Sequence, residues 1–180
     1  MKGSSLKFTK GQIVVHPHHG PATVKSITSR TLRGEKKDYL DLLTHEDEMS
    51  VAVPAEQAEE MGVRPLMDVD GVKKIFEILV DESSPFDRVW SRRFKDYTER
   101  LNSGDVSTIA GLIRDITRRN EDSRVSYGEM GVLRDALGPL VAELALALDI
   151  EKETVENLIN QAVLEDEVPK LGKDGLVLAS

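Results

Sequence analysis

The hydrophobic pattern of this chain changes its period once, near residue 69, and that change limits the fold more than any other feature. Before it, IVVHP (13–17), PATVKSI (21–27), KDYLDLL (37–43) and MSVAVP (49–54) are short, rich in β-branched residues and separated by polar or glycine-containing turns, HHG and SRTLRGEK. Runs of this length and make-up read as strands, and Pro54 closes the last of them. Four or five strands within about 55 residues predict a small, strongly bent sheet or barrel. After residue 69 the period is helical. Ser84-Pro85-Phe86-Asp87 reads as a helix start, with apolar residues following at Phe86, Trp90, Phe94, Tyr97 and Leu101. Ser103-Gly104-Asp105 breaks that run, and Val106, Ile109, Ala110, Ile113 and Ile116 mark a further helix. Ser126 with Glu129 forms a capping box ahead of a stripe from Leu133 to Leu148, in which Gly138-Pro139 predicts a kink or break. Asp149 reads as the cap of a last helix carrying Val155, Leu158, Ile159 and Ala162.

Strands followed by helices, without alternation, give an α+β chain of two modules. The expected division is a small β-barrel over residues 1–66, an all-helical domain over 67–165 and a loose tail over 166–180. At 180 residues and 39% hydrophobic content the chain can bury a core for each module. No run approaches the length of a membrane span and the N-terminus lacks a signal-peptide core, so a soluble, unexported protein is expected. The absence of cysteine excludes disulfides, thiolate catalysis and cysteine-based zinc sites.

The formal charge of −8 is uneven: +5 over residues 1–44, −8 over 45–85, +2 over 86–124 and −7 over 125–180. An acidic chain is repelled by bulk DNA, so any nucleic-acid role has to be local or delivered by another molecule. His16, His18 and His19 invite a metal, yet strand alternation sends His19 away from the other two and no acid completes the set. No nucleophile elbow, phosphate loop or metalloprotease motif is present, and an enzyme is not expected. A methyl-lysine cage needs several aromatic faces, and the barrel segment offers only Phe8 and Tyr39. Neither a cofactor nor a metal is called for.

The stretch RVWSRRFKDY (88–97) holds the only tryptophan, among Arg88, Arg92, Arg93 and Lys95. In a helix begun at Ser84, Arg88, Arg92 and Lys95 share one face and Trp90 lies in the apolar stripe. Periodicity alone makes Trp90 a core residue, and the basic neighbours keep open the other reading, a flat apolar ring carried to a phosphate surface. Arg118 and Arg119, in the last turn of a helix, are accounted for by its dipole.

The order of segments adds what periodicity leaves open. HPHHG, VPAE followed by GVR, WSRR with SGDV, IRD and RR after it, and VAELALA (141–147) resemble the CarD family of bacterial transcription regulators, over about Lys7 to Val163. The resemblance implies a Tudor-like barrel that docks on the RNA polymerase β subunit and a helical domain that contacts promoter DNA at the upstream edge of the transcription bubble, stabilising the open complex. It implies that Trp90 wedges into the minor groove there, with Arg92, Arg93, Lys95, Arg114 and Arg119 on the DNA backbone. Polymerase contacts are carried onto Arg30 and onto Val51, Ala52 and Pro54 of the SVAVP strand. A monomeric cytoplasmic protein, held near the nucleoid by polymerase and away from membranes, follows from the same likeness. Its alternative is a polymerase-binding adaptor with no DNA role. Ala52 stands where a member of the family carries arginine, Met130 where it carries lysine, and Pro139 is an addition.

Overall fold

The computed structural model describes residues 8–172, which form two compact units parting between Leu66 and Met67. The first is an antiparallel sheet of β1 (Ile13–His16), β2 (Gly20–Leu32), β3 (Glu35–Thr44), β4 (Ser50–Pro54) and β5 (Arg64–Pro65), in the order β4-β3-β2-β1-β5. Alternation selects its buried face: Val14, Ala22, Val24, Leu40, Leu42 and Val53 point inward against Phe8, Ala58 and Val63. The register slips between Val24 and Ser26, a bulge that bends β2 and adds twist to the sheet.

The stretch SRTLRGEK, expected as a loop, is largely strand. β2 and β3 stay paired out to Leu32 and Glu35 and turn through Arg33 and Gly34, both at positive φ (52° and 82°). That two-residue reversal matches the right-handed twist of the strands it joins. Apart from Leu32, itself exposed, its arm from Ser29 to Asp38 is polar on both sides, so it lacks the alternation by which a strand is recognised.

The second unit packs α1 (Val69–Val80), α2 (Trp90–Asn102), α3 (Val106–Asp122), α4 (Tyr127–Leu148) and α5 (Lys152–Glu165) around Phe76, Leu79, Tyr97, Leu112, Ile116, Leu144 and Ile159. Three helix boundaries differ from expectation. α2 begins at Trp90, not Ser84, because Ser84 is engaged by α3 and residues 81–89 form an irregular connection. Asp149 sits at φ 54° and closes α4, leaving α5 to start at Lys152 after Glu151. Pro139 does not interrupt α4; the carbonyl it deprives of a partner belongs to Asp135, an exposed residue.

Of the tail expected over 166–180, residues 166–170 carry no regular structure and Leu171 packs against the helical core; residues 173–180 lie outside the described residues. Among the described residues no helix is long and apolar enough to cross a membrane. Nothing lies within 4 Å of a Cβ added at Gly34, so substitution there tests backbone conformation alone. Gly34→Val should destabilise the sheet unit by about 1–2 kcal/mol in urea titrations, and Gly34→Asn by clearly less.

Candidate nucleic-acid interface

Glu129, in the first turn of α4, is the hub of the region around Trp90. It is 1% exposed. Its Oε1 accepts hydrogen bonds from Arg93 Nε and Arg119 Nη1, each at 2.6 Å, and its Oε2 accepts the backbone N–H of Ser126 at 2.8 Å. Burial acts to raise the carboxyl pKa, but the hydrogen bonds from Arg93, Ser126 and Arg119 outweigh it and lower the value from 4.5 to about 2. The charged form is therefore built into the fold. Close by, the Tyr97 hydroxyl is buried; that burial pushes its pKa up, and the Arg119 guanidinium, near it but without a hydrogen bond of good geometry, offsets only part of the rise.

The arginines of this network also hold the connection that presents Trp90. Arg93 Nη1 donates to the carbonyls of Asp87 and Arg88 at 3.0 and 3.2 Å. Arg114 reaches Asp115 Oδ1 and the Ile78 carbonyl, both at 2.9 Å, and Ser84 Oγ at 3.1 Å, while Ser84 N–H donates to Asp115. Arg118 donates to the carbonyls of Asp81 and Val163, and the Arg119 guanidinium lies 5.3 Å over the Phe86 ring. Four arginines thus clamp one irregular segment from behind, where five rigid donors per side chain can meet carbonyls that no helix satisfies.

Trp90 itself is not in the core; it is 49% exposed. Its indole N–H donates to Ser126 Oγ at 3.1 Å, and its ring stacks on Phe94 with centroids 5.1 Å apart and planes 12° from parallel. Ser126 Oγ also accepts the Glu129 N–H, so the hydroxyl that caps α4 holds the indole as well. Behind Phe94 lies Gly128: a Cβ there would come within 3.1 Å of the ring.

The six helical residues expected on DNA therefore separate. Trp90, Arg92 and Lys95 are exposed, with only loose surface pairs for the two cations, to Asp87 at 3.9 Å and Glu99 at 3.8 Å. Arg93 and Arg114 are buried and committed internally, and Arg119 is largely so, because each replaces water by carboxylate or carbonyl partners within the fold. Arg88 lies in the connection, outside α2, and is exposed. In the sheet unit Arg30 keeps 54% of its side chain exposed while bonded to Asp41 at 3.1 Å and set 5.0 Å over the Tyr39 ring. Val51, Ala52 and Pro54 lie on β4, an edge of the sheet, with Ala52 exposed.

The sequence reading missed the support of Trp90 by Ser126, Phe94 and Gly128. The capping box was visible, but its second task was not, since nothing along the chain ties residue 90 to residue 126.

Among the described residues no three His, Cys, Asp or Glu side chains are grouped to hold a metal ion. His16 Nδ1 accepts the N–H groups of His18 and His19 at 3.1 and 3.3 Å, which caps the turn. The His19 ring, expected to point away, is the nearer one at 4.7 Å, against 5.9 Å for His18. β1 ends at His16, so strand alternation does not extend to His19. Burial first, then the neighbouring His19 and His18, lower the His16 pKa to about 4.

Two family models match the chain. The CarD-like/TRCF RID domain matches residues 8–67 and the CarD C-terminal domain matches residues 74–160. A Bacillus subtilis (strain 168) protein described as "Putative transcription factor YdeB" is 24% identical over 150 residues, covering 83% of this chain and 98% of its own length.

Glu129 has a lowered pKa in the folded state, so its contribution to stability is complete above about pH 4.5 and is lost as pH falls toward about 2. Glu129→Gln strands two buried cations and should cost about 3–5 kcal/mol at pH 7, by denaturant titration. Between pH 4.5 and 2 the gap between parent and variant should close; a constant gap argues against a charged Glu129. Gly128→Leu should displace Phe94 and release the indole, read as a red shift and easier quenching of Trp90 fluorescence.

Proposed function

Since the chain belongs to the CarD family of transcription factors, we propose that it binds the RNA polymerase β subunit through its sheet unit and stabilises the promoter open complex through its helical unit. Trp90 enters the minor groove at the upstream edge of the bubble. The observation that carries this reading is an indole half exposed yet fixed by a hydrogen bond and a ring stack, on a helix that also carries the exposed cations Arg92 and Lys95.

Base pairs at the edge of a bubble lose stacking, at a cost of a few kcal/mol per step, and an aromatic ring restores roughly 1–3 kcal/mol of it. A differential of about 1.4 kcal/mol shifts the open-to-closed ratio tenfold, so binding alone suffices and no reaction is catalysed. Fixing the ring beforehand lowers the entropy lost on contact. Arg92 and Lys95 exchange weak surface partners for phosphates, which fixes position without reading sequence, so action at many promoters is expected. Arg93, Arg114 and Arg119 act one step back, by holding the segment that leads into Trp90.

On the sheet unit, Arg30 is aimed by Asp41 and Tyr39. Together with Val51, Ala52 and Pro54 on the edge strand, it forms the polymerase contact. Tethered this way, the monomer meets DNA at an effective concentration on the order of millimolar, and its −8 charge keeps the free protein off other DNA.

The inward turn of Arg93 and Arg114 favours one competing reading, an adaptor that touches polymerase only. Trp90→Ala separates the two. It should cost under about 1.5 kcal/mol of stability, far below the roughly 3–5 kcal/mol of a buried tryptophan, while shortening open-complex lifetime about tenfold. Arg92→Glu with Lys95→Glu should shorten that lifetime too. Unchanged lifetimes with polymerase capture intact would establish the adaptor.

A further inference from the structure

Next in the chain to the serine that holds the indole stands an aromatic ring that the fold does not use. Tyr127, the first residue of α4, is 91% exposed. The helix start around it is completed by its neighbours: Ser126 and Glu129 close the capping box, and Gly128 lies against Phe94. Phe86, the other exposed aromatic of this region, at least sits under the Arg119 guanidinium. A tyrosine left in water forgoes the burial that ordinarily accounts for so large a side chain, so a binding role is the economical explanation.

Its position is fixed relative to Trp90. Ser126, whose Oγ holds the indole N–H at 3.1 Å, is the residue immediately before Tyr127. Met130, 39% exposed, follows three residues later on the same side of α4 and widens the apolar surface. Exposed cations stand close to both rings in the chain: Arg88 and Arg92 are each two residues from Trp90, and Arg124 is three residues before Tyr127. Exposed rings set among arginines match single-stranded nucleic acid, whose bases stack on aromatic faces while its phosphates meet the cations. An apolar protein groove would have no use for those cations.

Resting on the reading that Trp90 meets the last base pair at the fork, we propose that Tyr127 is a second DNA contact, its ring stacking on an unpaired base of the melted segment. The ring face makes the contact and the hydroxyl is dispensable. Trp90 would thereby meet the paired side of the boundary and Tyr127 the unpaired side.

The test uses the full chain with RNA polymerase and two DNA probes, a fork-junction promoter fragment carrying 2-aminopurine at the first unpaired position and the matching full duplex. Tyr127→Ala should weaken binding to the fork probe about tenfold, leave duplex binding within twofold and raise 2-aminopurine fluorescence. Tyr127→Phe should behave as the parent. The proposal is overturned if Tyr127→Ala binds the fork as the parent does, if fork and duplex weaken equally, or if Tyr127→Phe loses as much as Tyr127→Ala. Trp90→Ala, run in parallel, tells which idea has failed. If it weakens fork binding while Tyr127→Ala does not, only the tyrosine contact falls; if both are silent, the fork reading falls with it.

Discussion

One buried carboxylate organises the helical unit. Glu129 takes hydrogen bonds from two arginines on two different helices and from the backbone that starts a third, so α2, α3 and α4 converge on a single pair of oxygens. Burying three charges is expensive in general, and it is tolerable here because every short contact is a charge-assisted hydrogen bond with good geometry. The same pair of residues that starts α4, Ser126 and Glu129, then reaches outward: Ser126 to the indole, and Glu129 through Arg93 to the carbonyls just before it. Helix capping, usually a local matter, is coupled in this chain to the position of a surface ring 36 residues away in sequence.

This arrangement changes what the basic content of residues 86–124 means. Counted along the chain, that segment is the positive part of the helical unit. In the fold, Arg93 and Arg114 are buried and Arg118 and Arg119 mostly covered, each spanning between a helix and the connection before Trp90. Arginine suits the task because its charge persists and its planar fork satisfies several carbonyls at once. The exposed cations that segment keeps are Arg88, Arg92, Lys95 and Arg124.

Much of the fold was legible because hydrophobic period tracks burial. The strands, the helix stripes and the capping box at Ser126 and Glu129 all follow from local pattern, and the likeness in segment order pointed to the family that the comparisons support. What escaped was set by contacts distant in sequence. Ser84-Pro85-Phe86-Asp87 has the composition of a helix start, yet Arg114 and Asp115 hold Ser84 in an irregular connection, and tertiary hydrogen bonds override the local signal. Trp90 keeps its place in the stripe with Phe94 and Tyr97, but because α2 starts at Trp90 its ring lies at the open end of that stripe and stays half exposed. The division of the arginines into exposed and internal was equally invisible, since Arg92 and Arg93 differ by one position and nothing in their neighbours says which one meets Glu129.

The Trp90–Phe94 pair carries a geometric consequence. With Phe94 nearly parallel at 5.1 Å, the indole has one of its two faces already taken. A ring so placed has one face left for a further flat partner, and cannot be flanked on both sides without evicting Phe94. The level of that free face is set jointly by α2 and α4, through Phe94 and Ser126, so neither helix can shift without carrying it along.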